Sequence, residues 1–132
     1  MSLPKWLQQR LGTPTRGRGV RHVKCAFGCR RDVLAGFDED AAASLAIVDP
    51  VPLSPLGEAL ARIEGRVTYR LGRHNDGSAL WQRTALNITS APASAEAIVF
   101  ADHKCGHAPL PSVEVKAAPD AKGPGYDAEP PF

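Results

Sequence analysis

Three cysteines and four histidines occur in the chain, and all but one of these seven residues fall in two short windows. The first runs His22-Val23-Lys24-Cys25-Ala26-Phe27-Gly28-Cys29, and the second His103-Lys104-Cys105-Gly106-His107. The windows read as two halves of one zinc site. Structural zinc takes four thiolate or imidazole ligands in a tetrahedron, one pair commonly coming from a tight turn. Cys25 and Cys29 flank Ala-Phe-Gly, and Gly28 supplies the positive φ that such a turn needs. In an extended segment alternate side chains share a face, so His103 and Cys105 can point at one metal. The predicted ligands are Cys25, Cys29, His103 and Cys105, with His22 and His107 close enough to stand in for His103. Two other readings stay open here. The cysteines are also compatible with small buried apolar side chains, or with a disulfide from Cys25 to Cys29 or Cys105. An odd cysteine count argues against an oxidised framework.

Size makes a metal cross-link useful. At 132 residues the chain is long enough for one domain, and large core residues are scarce, with four Phe, two Trp, two Tyr and one Met. Zinc binding adds directly to the folding free energy of such a thin core.

Charge is unevenly spread behind a net of +2. Residues 1–31 hold eight basic side chains and no acid, while residues 32–132 hold eight basic and fourteen acidic ones. A basic arm on an acidic body points to a polyanionic partner, either nucleic acid or an acidic protein surface. The residues expected to meet it are Arg16, Arg18, Arg21, Lys24, Arg30 and Arg31. A solvated tail is the plainer alternative. No apolar run approaches the roughly 20 residues that cross a bilayer. The N-terminus has no apolar stretch of signal-peptide type. The expectation is a protein without membrane contact, in the cytoplasm or inside an assembled particle such as a virion.

In chain order, residues 2–11 fit a short helix with Leu3, Leu7 and Leu11 on one stripe beside Trp6, docked on its own domain or in a partner's groove. Residues 12–19 read as a linker whose arginines lie among glycines. Val20–Lys24 and Arg30–Leu34 predict a hairpin with the cysteines at its tip, followed by a polar turn over 35–40. Ala43–Val48 predicts a strand. Ser54–Gly65 is the clearest helix, with Ser54 as N-cap, Pro55 at the first position, Gly65 at the stop, and Leu56, Ala59, Leu60 and Ile63 as the buried stripe. Residues 66–71 and 79–83 predict a strand pair across Asp76-Gly77. One face would carry Arg66, Arg70 and Arg83 beside Trp81, either a polar solvated surface or a patch where a base could stack. Thr84–Thr89 fits one helical turn, and Ala97–Ala101 a strand that delivers His103 and Cys105. Residues 108–132, with their prolines, read as a flexible tail. Domain limits are therefore 1–19 for a basic arm, 20–107 for the zinc-stabilised body and 108–132 for the tail.

Enzyme signatures are missing. There is no H-E-x-x-H, deaminase zinc motif, G-x-S-x-G, Walker loop or dinucleotide fingerprint. The expectation is a non-enzymatic binding module.

A cysteine knuckle followed by Val33-Leu34-Ala35-Gly36, Val48-Asp49-Pro50, Leu56-Gly57-Glu58-Ala59-Leu60 and Thr68-Tyr69-Arg70-Leu71, then a strand ending in His103-x-Cys105, resembles small uncharacterised proteins of actinobacterial phages and their hosts. The likeness spans residues 20–107 and departs at the knuckle, which is one residue longer here. It implies a mobile-element setting and a zinc cluster, with no established activity. The fold expected is α+β: a small antiparallel β-hairpin domain with one main helix, zinc-stapled, carrying flexible arms. A structural component of a phage particle, with arms draped over neighbouring subunits, is the other reading.

Overall fold

A computed structural model describes residues 3–11, 19–26, 28–38, 44–74 and 77–117. The linker with Arg16 and Arg18, the acidic stretch at 39–40, the Asn75-Asp76 turn and the tail beyond 117 lie outside the described residues.

The architecture is α+β. Strands β1 (Arg21–Lys24), β2 (Asp32–Asp38) and β3 (Ser44–Val48) form an antiparallel meander, and β4 (Thr68–His74), β5 (Gly77–Gln82) and β6 (Val99–Ala101) form a second antiparallel ladder. One parallel pair, Asp38↔Leu80, joins β2 to β5. A bridge between Val48 and Asp102 joins the end of β3 to the residue after β6. Hydrogen bonds from Asp49 N–H to the Ala101 carbonyl and from His103 N–H to the Ile47 carbonyl tighten it, at 3.0 and 2.7 Å. The two ladders thus meet along both sides, and the strands run around a ring. The expected turn over 35–40 is in part strand, since β2 continues to Asp38.

Inside the ring lies the larger core, with Leu34, Val48, Leu80, Ile98 and Phe100. Helix α1 (Lys5–Leu11) adds Trp6 and Leu7 to it, with Leu3 and Leu11 packed alongside. The leucine stripe therefore docks on its own domain, and the helix is not a free arm. A seven-residue helix is too short to persist alone, and this burial supports it. Strand β6 is buried on both faces. Phe100 points to the ring interior, while Val99 and Ala101 meet Leu53 and Ala61 in a second cluster.

Helix α2 (Pro55–Ile63) starts as the sequence predicts, with Ser54 Oγ accepting from Gly57 N–H at 3.0 Å and Pro55 in the first turn. Its face is the opposite of the predicted one. Leu56, Leu60 and Ile63 are 60%, 37% and 80% exposed, whereas Gly57, Glu58 and Ala61 are buried. The cause is an ion pair. The Glu58 carboxylate receives both Arg83 Nε (2.9 Å) and a terminal Arg83 nitrogen (2.7 Å), and the Thr68 hydroxyl at 2.8 Å. Small neighbours let the helix come close enough to seal this pair. At Gly57 a methyl group would lie 2.0 Å from the Pro111 carbonyl oxygen. Helix α3 (Ala85–Ser90) follows, capped at Thr84 as expected.

Two further expectations are corrected. The basic face of Arg66, Arg70 and Arg83 does not form: Arg66 and Arg83 are each 3% exposed, and both are paired with carboxylates. Residues 111–113, assigned to the tail, bond to 52–54 through Ser54 N–H to the Pro111 carbonyl and Val113 N–H to the Pro52 carbonyl. No helix among the described residues is long and apolar enough to cross a membrane.

Burial favours a neutral Glu58, but the hydrogen bonds from Arg83 and Thr68 outweigh it and hold the carboxyl below its ordinary value. Its contribution is therefore whole at neutral pH and is lost as pH falls through that lowered value. Glu58→Gln should destabilise the fold by about 3–5 kcal/mol, because Arg83 is left buried without its counter-charge. Urea unfolding at neutral pH measures this, and the gap to the native chain should narrow below about pH 4.

Candidate metal centre

The β1–β2 hairpin carries the first ligand pair. Its register sets Lys24 opposite Asp32, and Cys25 N–H closes the tip by donating to the Arg31 carbonyl at 2.9 Å. Within the tip Gly28 has φ 118°, the left-handed region expected of it, and Arg30 has φ 58°. The second pair follows β6 directly. The bridge at Asp102 and the His103–Ile47 hydrogen bond fix the backbone there, so His103 and Cys105 arrive beside the tip.

All four predicted ligands converge. Their donor atoms lie within 4.8 Å of one another. Cys25 Sγ is 3.5 Å from Cys105 Sγ, and His103 Nε2 is 3.3 Å from Cys29 Sγ and 3.5 Å from Cys105 Sγ. In a tetrahedron with metal–sulfur bonds of about 2.3 Å and metal–nitrogen bonds of about 2.0 Å, the edges are about 3.5–3.8 Å. These three spacings lie at or slightly under that size and the whole set stays within 4.8 Å, so the cluster is compatible with a metal ion. The three cysteines are free thiols and make no disulfide.

The chemistry of the donor set agrees. Hydrogen bonds to Cys25 and then Cys29 push the Cys105 thiol up to about 11. Sulfurs packed this closely resist becoming thiolates together unless a cation sits among them. His103 presents one ring nitrogen to the same cluster. Its Nδ1 lies 2.6 Å from Asp49 Oδ1, and a carboxylate only accepts, so Nδ1 carries the proton. The Nε2 lone pair then faces the sulfurs, as in the carboxylate–histidine pairs that stand behind metal ligands. Burial disfavours a charged His103 ring, yet the bonds to Asp49 and Cys29 prevail and its pKa is raised, so a metal ion would compete with a proton for Nε2. Asp49 is held in turn by Arg66, whose terminal nitrogen reaches Asp49 Oδ2 at 2.8 Å and whose Nε donates to the Asp102 carbonyl at 3.0 Å.

The reserve ligands are engaged elsewhere. His22 Nε2 pairs with Asp32 at 2.8 Å, and His107 Nδ1 lies 3.4 Å from Glu64. Asp32 is held down to about 2, first by its hydrogen bond from Lys24 and then by that from His22. Asp49 and Arg66 were not foreseen as site residues. Asp49 precedes His103 by 54 residues, and in sequence it marks only the end of a strand before Pro50.

Of the residues expected to meet a polyanion, Arg21, Lys24, Arg30 and Arg31 are exposed on the hairpin, Lys24 being paired with Asp32 at 2.9 Å. Trp81 is half-buried on β5, opposite Arg70 of β4. Comparison with known protein families, with curated proteins and with solved structures finds no match to this chain.

Asp49→Asn keeps the shape of the side chain but removes the charge behind His103. It should weaken metal affinity about 10–100-fold, read by competition with a chromophoric chelator.

Proposed function

We propose that the protein is a non-enzymatic zinc module that binds nucleic acid or an acidic protein surface through its basic hairpin. The observation that carries the zinc reading is the Cys3His cluster backed by the His103–Asp49 hydrogen bond. Three thiolates and one imidazole in a tetrahedral set favour zinc over hard cations, which prefer oxygen. Four protein ligands fill the coordination sphere, whereas catalytic zinc keeps a position for water, and this supports a structural role. The ion would tie the hairpin tip to the end of β6 across 74–80 residues of chain. Cross-links that close long loops constrain the unfolded chain most, and zinc in small domains contributes on the order of 10 kcal/mol.

The partner is inferred from charge. Arg21, Arg30 and Arg31 project from the stapled hairpin, and Arg16 and Arg18 precede it in sequence. The resemblance of residues 20–107 to actinobacterial phage proteins supports a mobile-element setting. The full chain should purify with one zinc, and Cys25→Ser or Cys105→Ser should lose it, read by elemental analysis. Binding to duplex DNA or to a polyglutamate should weaken steeply as salt rises, with charge reversal at Arg21 and Arg31 lowering the slope. Salt-independent binding to either probe would remove the electrostatic part of this reading.

A second reading, a component of a larger assembly, is favoured by one observation. Leu56, Leu60 and Ile63 form an outward apolar stripe on α2, with Leu86 of α3 74% exposed. Gel filtration of the full chain separates the two: on the second reading Leu60→Glu with Ile63→Glu should reduce the apparent size, and on the first it should leave it unchanged.

A further inference from the structure

Between the hairpin and the segment 107–110 lies a cavity of about 490 Å³, within the size range of small-molecule sites. It adjoins the metal centre, because Asp49 and Arg66 form part of its wall. Its apolar surface is aliphatic throughout, chiefly Val51, Leu53 and Leu110 with two prolines. Four cations line it, and two of these are already neutralised, Lys24 by Asp32 and Arg66 by Asp49. Arg30 and Arg31 have no carboxylate partner among the described residues. The cavity therefore has an aliphatic body and two free guanidinium groups.

Arg30 adds an independent pointer. It stands at φ 58°, a conformation that glycine or asparagine enters more easily than arginine. A long cation held at a strained position beside a cavity is better explained by what its side chain reaches than by the turn it makes.

We propose that this cavity binds an amphipathic carboxylate, with the anionic head on Arg30 and Arg31 and an aliphatic body against Val51, Leu53 and Leu110. A guanidinium presents parallel N–H donors that match a carboxylate. Aliphatic walls accept an acyl or leucine-like body, whereas a nucleobase would need a broad aromatic platform, and the one aromatic ring in the lining is the imidazole of His107, which is paired with Glu64 at 3.4 Å. The carboxylate has two natural sources, a free acyl acid or the C-terminal residue of a peptide. The proposal deepens the reading of the hairpin as a binding face and rests on it.

The test uses the full zinc-loaded chain, with octanoate and N-acetyl-leucine as probes and octanol, acetate and N-acetyl-leucinamide as controls, followed by amide NMR shifts. One or both carboxylates should bind saturably and shift the amides of Val51, Leu53, Ala101 and Leu110, and the controls should bind at least about tenfold more weakly. Arg30→Asn with Arg31→Gln should weaken the carboxylates about tenfold and leave octanol unaffected. Tighter binding of N-acetyl-leucine assigns the cavity to peptide C-termini, and tighter binding of octanoate to free acyl acids. The proposal is overturned by a zinc-loaded chain that neither carboxylate perturbs, by octanol binding as well as octanoate, or by the double variant binding octanoate at full strength. Zinc content is read on each sample, so a chain that takes up no zinc yet binds octanoate supports the cavity and overturns only the zinc reading.

Discussion

The hydrogen bond between His103 and Asp49 couples two parts of the molecule that the chain keeps far apart. On one side of it stand the three cysteines. On the other stands Arg66, buried and bound to both Asp49 and the Asp102 carbonyl. Asp102 is also the residue that bridges Val48 and closes the ring of strands. One continuous polar chain therefore runs from the cluster to the seam of the sheet. Whatever fixes His103 fixes the seam, and a shift at the seam would move the only imidazole in the ligand set.

A second polar pair does comparable work on the far side of β4. The Glu58–Arg83 ion pair is sealed beneath α2, and Thr68 of β4 completes it. Burying two charges is costly unless their geometry satisfies them, and here two nitrogens and a hydroxyl meet one carboxylate. That requirement decides which way α2 faces. The helix turns its small and charged side inward and its leucines outward, against its own apolar pattern. Small residues at Gly57 and Ala61 make the approach sterically feasible. The domain thus combines two ion pairs on buried arginines with its two apolar clusters.

These two features explain what could be read from residues alone. Ligand convergence was legible because cysteine and histidine are rare here and clustered, and because a turn and a strand each present alternate side chains to one point. Helix ends were legible through Ser54, Pro55 and Thr84, where the cap chemistry is local. The orientation of α2 was not, since periodicity reports where apolar residues recur and is silent on a carboxylate whose partner lies 25 residues on. For the same reason Arg66 and Arg83 looked like a solvated basic face. The role of Asp49 was hidden by distance, and the pairing of 111–113 with 52–54 by a proline-rich composition that resembles a tail.

The separation of the two ligand windows has a consequence for how the protein is made. Cys105 follows Cys25 by 80 residues, so at ribosomal rates of about 5–20 residues per second some 4–16 seconds pass between their syntheses. During that interval the hairpin thiols have neither their imidazole nor their third sulfur. Metal loading by the complete set would then be a late event, open only to a chain whose second ladder has already emerged. A reducing environment at the site of translation would keep Cys25 and Cys29 available until their distant partners arrive.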